Sequence, residues 1–182
     1  MSNSASSEIT AYCRTRLLRW RVLVLWLLLL AALVAANPSL SVDQGVTGAV
    51  FLALALAVLR LWDDLADLPH DQVHHSERIL VRSTHLGVFR AVVWMGTVLL
   101  ALSLWPDLQR LAMYGGLLAA LAWFYHGPWR ARVARLPRAC LVLAKYPVLV
   151  VLAGAEPSKR TWLIGLILYA LLAAHEWQDT SA

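Results

Sequence analysis

The sequence predicts an all-α fold, a polytopic transmembrane bundle of about six helices. The 182 residues are 60% hydrophobic and 15% charged, with a mean hydropathy of +0.62. A soluble domain of this length carries more charge and less apolar side chain. Runs such as Leu27–Leu30 and Phe51–Leu59 are apolar all round and lack the alternation of barrel strands. Helices are therefore the structure that satisfies the backbone in lipid.

Six stretches approach the roughly 20 apolar residues that a membrane crossing needs. In chain order they are Leu17–Ala36, Val46–Trp62, Leu86–Trp105, Leu108–Tyr125, Ala139–Ala155 and Thr161–Ala174. The connections are short, so we expect a cytoplasmic segment over residues 1–16 and a single transmembrane helical domain over residues 17–182. Val34–Ala36 resembles a signal-peptide cleavage site, but the long leading segment favours a retained first helix.

The basic residues predict the orientation of these spans. All but three of the 16 Lys and Arg residues fall on one side of the membrane, the exceptions being Arg110, Lys159 and Arg160. Basic residues are retained on the cytoplasmic side, so we expect an inner (plasma) membrane protein with both termini in the cytoplasm. The pI near 9.7 then reflects contacts with anionic headgroups, and no nucleic-acid partner is expected. Cys13 and Cys140 both map to the reducing side, where no disulfide is expected.

One acidic cluster dominates the predicted chemistry. Residues 63–71, at the inner end of the second span, read DDLADLPHD. If one helix continues through this segment, Asp64, Asp67 and Asp71 share a face and Asp63 is rotated about 100° away. Like charges on one face repel each other, and a divalent cation would relieve the repulsion. Oxygen ligands favour Mg²⁺, which shares its remaining positions with substrate phosphates.

Basic side chains follow on the same side of the membrane. Arg78 and Arg82 carry the planar fork that suits phosphate oxygens, and both could equally be topology anchors. Tyr125 and Arg130 belong to a basic loop after the fourth span. Lys145 stands inside the fifth apolar stretch, where it either reaches back to the interface or lines a polar cavity and pairs with phosphate or carboxylate.

A second acidic pair ends the sixth stretch. Glu176 and Asp179 are three residues apart and map to the same aqueous layer as the first cluster. Opposite an aspartate-rich helix end, this pair could complete a site for a second metal ion.

These motifs resemble the UbiA superfamily of intramembrane prenyltransferases. Residues 63–71 match the family's N/D-D-x-x-D-x-x-x-D pattern, residues 77–80 resemble its R-P-[LI] segment, and residues 125–130 resemble its Tyr/Pro/basic loop. Two features depart from the family: the second acidic motif is the shortened Glu176-x-x-Asp179, and the chain has six predicted spans where the family has about nine. Pro69, inside the first motif, can also break the helix.

The resemblance implies a Mg²⁺-dependent transferase of alkyl groups that ionises a prenyl diphosphate and lets an acceptor capture the allylic cation. It assigns Asp64, Asp67 and Asp71 to catalysis and adds Asp63, Glu176 and Asp179 as metal ligands. It assigns the diphosphate to Arg78, Arg82, Tyr125, Arg130 and Lys145. Cation–π shielding by Trp62, Trp94, Trp123 and Tyr146 is consistent with this chemistry, although interface packing explains any single aromatic equally well.

Two other functions stay open from the sequence. A UbiA-like membrane subunit or remnant with reduced turnover would retain the fold, and a homodimer or partner subunit would close its cavity. A membrane di-iron oxidase would use the histidines around residues 70–75, but such enzymes need about eight histidines in separate boxes and this chain has six.

Overall fold

The computed structural model describes residues 4–127 and 141–181, apart from the side chains at positions 176 and 179–181. The secondary structure of the described part is helical. Arg130 of the predicted phosphate set lies outside it, as do the side chains of Glu176 and Asp179. The helices are α1 (Ala5–Tyr12), α2 (Trp20–Ala36), α3 (Val42–Ala66), α4 (Leu68–His74), α5 (Ile79–Arg82), α6 (Leu86–Leu104), α7 (Leu108–His126), α8 (Lys145–Leu152) and α9 (Lys159–Ser181).

Local sequence explains where several helices begin. The Ser4 side chain caps α1 by accepting from the Ser7 N–H, and Asp107 caps α7 by accepting from the Arg110 N–H. Before α3, Ser41 and Gln44 form a reciprocal capping box: the Ser41 hydroxyl accepts from the Gln44 N–H, and the side-chain Oε1 of Gln44 accepts from the Ser41 N–H.

A π-helical turn, Cys13–Leu17, follows α1 directly. Its signature is the bond from the Leu18 N–H to the Cys13 carbonyl, five residues back. The helical segment Ala5–Leu17 is bent by 66° from α2. We call Ala5–Leu17 the N-terminal arm, and all of it but Leu17 precedes the first span that the sequence predicts.

Among the residues that the structure describes, two helices, α3 and α6, are long and apolar enough to cross a membrane, and α2 makes a third if it is counted together with the arm. α6 exposes large apolar side chains along its length, including Trp94, Met95 and Leu99. Such exposure is what lipid contact requires. The described part of each predicted stretch is largely helical, but the full set of six spans stays a prediction.

Several helix ends differ from the predicted ones, and α8 ends at Leu152, before the predicted Ala155. α2 begins at Trp20 because the π-helical turn and the bend separate it from Leu17. α3 is longer than predicted at both ends, and α9 runs to Ser181 where the apolar stretch stops at Ala174. Polar residues extend a helix beyond its apolar core, so hydropathy alone underestimates the helix length.

The chain forms two compact units: Met1–Trp26 with Ala53–Leu102, and Leu27–Leu52 with Ser103–Ala182. In the first unit, the core contains Tyr12, Leu61, Leu68, Leu80 and Phe89. α3 and α6 approach closely there, since a Cβ on Gly96 would overlap with Val58.

In the second unit, α8 packs against α7 and α9. Asn37, after α2, donates to the carbonyl of Gly154 over 2.8 Å. Gly154 has a φ of +127°, a conformation that favours glycine. These contacts fix the loop after α8.

Candidate functional site

A polar cavity of about 430 Å³ lies in the first unit. The arm, the end of α3, α4 and the segment leading into α5 supply its walls. The lining residues are Tyr12, Thr15, Arg16, Arg19, Asp64, Asp71, His75, Glu77, Arg78, Ile79 and Leu80. Three arginines and two buried aspartates therefore face one space.

Asp64 is 5% exposed and is held by donors from the arm. Arg16 binds both carboxylate oxygens, from Nε at 3.0 Å and from Nη2 at 2.9 Å. The Tyr12 hydroxyl donates to the same carboxylate at 2.9 Å, and Arg60 Nε lies 3.7 Å away. A buried carboxylate requires such charged partners, since an unpaired one is costly.

Asp71 is 4% exposed and has a similar arrangement. Arg78 Nη1 donates to both of its carboxylate oxygens. Arg78 is itself about one-third exposed at the cavity, so its guanidinium is accessible from the cavity as well as bonded to Asp71.

The expected continuous helix through the acidic motif is not present. α3 ends at Ala66, Asp67 occupies the N-cap position of α4, and Pro69 lies in the first turn of α4. Proline has no N–H to donate and suits a helix start, which explains a break here. After the break, Asp64 and Asp71 line the cavity, whereas Asp63 and Asp67 are half-buried and do not line it.

A second polar cluster anchors the start of the arm. Glu8 is buried, accepts a hydrogen bond from the Ser83 hydroxyl, and lies 3.4 Å from His85 Nδ1. The Ser83 bond, helped by His85 and opposed by burial, holds the pKa of Glu8 below its ordinary value. At Tyr12, burial and the neighbouring Asp64 carboxylate raise the pKa of the phenol, so its hydroxyl stays a donor.

An apolar cavity of about 220 Å³ adjoins the same part of the arm. Tyr12 lines both cavities: its hydroxyl binds Asp64, and its ring packs edge-on against Phe89 at 5.7 Å. α3 and α6 supply most of the remaining wall through residues such as Leu54, Val58, Val92 and Leu99. The polar cavity and the apolar cavity thus share Tyr12 as a lining residue.

No family model, curated protein or solved structure matches this chain. The likeness to the UbiA superfamily therefore rests on the motifs in the sequence.

The cavity contains the kind of oxygen donor that Mg²⁺ uses in proteins. Mg²⁺ in proteins is commonly bound by one or two carboxylates, with waters and substrate phosphates completing its shell. Asp64 and Asp71 supply oxygen donors, and arginines stand beside both. Among the described residues, no group of three or more His, Cys, Asp or Glu side chains is placed to hold a metal. If Mg²⁺ binds here, Asp64 and Asp71 would be its protein ligands, and both are bound by arginines in this structure.

The remaining predicted site residues have different surroundings. Arg82 donates from Nε to the Ser76 carbonyl, which braces the loop between α4 and α5. Tyr125 is buried in the second unit and packs edge-on against Phe124 at 5.9 Å. His70 and His74 stack on each other on α4 with ring centroids 4.2 Å apart.

Lys145 is 2% exposed and lines an apolar cavity of about 530 Å³ in the second unit. Its Nζ lies 5.4 Å from the centre of the Tyr146 ring. The cavity walls come from α7, α8 and α9, with Leu117, Phe124 and Trp162 among them.

Sequence reasoning missed the contribution of the N-terminal arm. Residues 1–16 are expected as a cytoplasmic segment without a site, yet Tyr12, Arg16 and Glu8 bind partners far along the chain. One signal was present: Tyr12 and Arg16 are four residues apart, a spacing that places two side chains on one helical face. Their partner was not visible, because contacts across about 50 residues leave no local pattern.

Proposed function

We propose that this protein binds a prenyl diphosphate together with Mg²⁺ and transfers the prenyl group to an acceptor. The observation that carries the proposal is the pair of adjoining cavities that share Tyr12. One holds arginines and buried aspartates, which suit a metal-bound diphosphate. The other is apolar and suits the first part of an isoprenoid chain.

In this proposal, Asp64 and Asp71 hold the metal, and Arg78 binds diphosphate oxygens through its planar fork. The bond between the allylic carbon and the diphosphate oxygen breaks, and the diphosphate leaves with the electron pair. The acceptor then donates an electron pair to the allylic cation and loses a proton to solvent. Mg²⁺ would supply charge neutralisation on the departing diphosphate. The guanidinium groups add fixed positive charge where negative charge develops.

The resemblance to the UbiA superfamily supports the same activity, and the proposal includes its consequences for location. We place the protein in the inner (plasma) membrane with about six spans and both termini in the cytoplasm. Asp63, Asp67, Glu176 and Asp179 stay predicted metal ligands. Arg82, Tyr125, Arg130 and Lys145 stay predicted diphosphate ligands.

A second candidate function is a UbiA-like membrane subunit with reduced turnover. The ion pairs Arg16–Asp64 and Arg78–Asp71 favour it, because each motif aspartate that lines the cavity is already neutralised by an arginine. Such pairs fulfil a structural role without a metal. The histidine-box oxidase gains no support from the described residues, where no group of three or more His, Cys, Asp or Glu side chains is placed to hold a metal.

The test is a membrane assay with radiolabelled geranyl, farnesyl and geranylgeranyl diphosphates, with and without Mg²⁺. The variants are Asp64→Asn and Asp71→Asn, and the control is Asp43→Asn, which removes an exposed carboxylate from the opposite end of α3. We expect Mg²⁺-dependent diphosphate release to fall about 100-fold or more in both cavity variants and to persist in the control.

Three contrary results can be told apart in these assays. Tight binding of prenyl diphosphates without release would support the subunit. Iron content with oxygen consumption would support the oxidase. Release that is unchanged in Asp64→Asn and Asp71→Asn would show that the cavity is not the active site.

A further inference from the structure

The N-terminal arm is built into the interior of the first unit. Tyr12 is 2% exposed, and Arg16 lies against a carboxylate 48 residues further along the chain. At its start, the arm is bound to the α5–α6 connection through Glu8 and Ser83. Helix packing, two polar contacts and an ion pair therefore hold the arm over the polar cavity.

Arg16 occupies the ligand positions that a cation would need. Its Nε and Nη2 groups bind the two oxygens of Asp64 separately, at 3.0 and 2.9 Å. Because Asp64 is buried, it has little further surface on which a metal ion could bind beside Arg16. A metal that binds Asp64 must therefore displace the guanidinium.

A displaced Arg16 would need a new anionic partner in the same space. It already lines the cavity, as do Arg19 and Arg78, so a diphosphate there would lie within reach of all three side chains. The arginine fork binds phosphate oxygens with the same paired geometry as a carboxylate. If the metal ion and the diphosphate bind together, the metal ion neutralises Asp64 and the diphosphate neutralises Arg16.

The helical geometry of the arm ends just before the bend. Leu18 leaves helical geometry, with φ −87° and ψ 19°, directly after the π-helical turn. The 66° bend between the arm and α2 follows at this point. π-helical turns are frequent at functional sites, and element ends commonly act as hinges.

We propose that Arg16 is an exchangeable cation, which blocks Asp64 in the empty protein and moves to the diphosphate when metal and diphosphate bind. The arm is then both an autoinhibitory contact and a wall of the loaded site. This inference rests on the proposed function of the polar cavity, and it adds the arm as a positioning element that the motifs do not contain.

The proposed exchange predicts that one substitution, Arg16→Ala, raises the affinity for the metal ion and lowers the affinity for pyrophosphate. In Arg16→Ala, Mn²⁺ alone, used as a paramagnetic substitute for Mg²⁺, should bind about 10-fold more tightly than in the wild type, because its competitor is gone. Inorganic pyrophosphate at saturating Mn²⁺ should bind about 10-fold more weakly, because a phosphate donor is gone. Electron paramagnetic resonance of free Mn²⁺ and a radiolabelled pyrophosphate binding assay measure the two constants on the full-length protein in detergent.

Two further variants control the measurement. Arg14→Ala removes an exposed arginine of the same arm that does not line the cavity, and it should match the wild type in both assays. Arg16→Lys keeps the charge but loses the fork, so it should show the same two changes to a smaller degree. If Arg16→Ala does not fold, Arg16→Lys provides the same test.

The outcomes separate this inference from the proposed function. Pyrophosphate binding in the wild type, with Mn²⁺ affinity unchanged or weaker in both Arg16 variants, would overturn the exchange and leave the proposed site standing. Absence of Mn²⁺-dependent pyrophosphate binding in every protein would overturn both. Opposite shifts in the two constants would establish the exchange.

Discussion

Asp64 and Asp71 show how a residue's position changes the chemistry that its sequence suggests. In the sequence of the acidic motif, they are two of four similar carboxylates. In the structure, both are buried in one cavity with an arginine, while Asp63 and Asp67 are half-buried outside it. A buried charge is expensive unless it is paired, so these two positions carry the strongest requirement for a cationic partner.

Glu8 carries a prediction about pH. Its pKa is lowered in the folded protein from an ordinary value of 4.5, mainly by the hydrogen bond from Ser83. A carboxylate with a lowered folded-state pKa contributes stability that is present above its unfolded pKa. That contribution disappears as the pH falls through the folded pKa.

We therefore expect the wild type to lose thermal stability relative to Glu8→Gln as the pH is lowered from 7 to below 4.5. Thermal unfolding in detergent at several pH values measures the difference. Glu77→Gln is the matched control, because Glu77 is exposed. Parallel pH profiles for wild type and Glu8→Gln would contradict the expected role of Glu8.

Among the helices, α3 and α4 show how a break creates a site. The end of α3 at Ala66 and the start of α4 at Leu68 place Asp64 and Asp71 beside one cavity without a shared helical face. The sequence contained the cause, since Pro69 favours a helix start. It did not contain the angle between the two helices, which tertiary packing decides.

The close approach of α3 and α6 predicts the effect of a small substitution. Gly96→Ala adds a methyl group that would overlap with Val58, so we expect a loss of about 1–3 kcal/mol in stability. Gly87→Ala, on the same helix, has nothing within 4 Å and should be neutral or stabilising, because alanine favours helix.

A double substitution checks the mechanism. Val58→Ala removes the methyl groups that meet residue 96, so Gly96→Ala should cost less in that background. Thermal unfolding of the two single variants and the double variant measures the coupling. Independent, additive losses would show that Gly96 is not a contact point between α3 and α6.

At the scale of the whole molecule, two helices in the described part of the chain are long and apolar enough to cross a membrane, or three when the arm and α2 are counted together. The orientation of the helices in the membrane is predicted from the distribution of basic residues, and it is part of the proposed function. α7 and α9 are helices in the structure without being among those apolar spans, so a direct measurement of sidedness is needed to count the crossings.

We expect fusions to report both termini on the cytoplasmic side. Green fluorescent protein at the C terminus should fluoresce and alkaline phosphatase there should be inactive. Alkaline phosphatase joined after Pro106, between α6 and α7, should be active. An active phosphatase at the C terminus would contradict an even number of crossings.

The sequence by itself determined the helical class, the apolar stretches and the grouping of charge near the end of α3, because composition and period act locally. It also singled out Asp64, Asp71 and Arg78, which the structure places on one cavity. Only the tertiary structure decided that Tyr12 and Arg16 bind the Asp64 carboxylate, and that Tyr12 lines both the polar cavity and the apolar cavity. The reason is physical: a buried carboxylate takes its partners from whatever segment packs against it, and that choice leaves no trace in the spacing of residues along the chain.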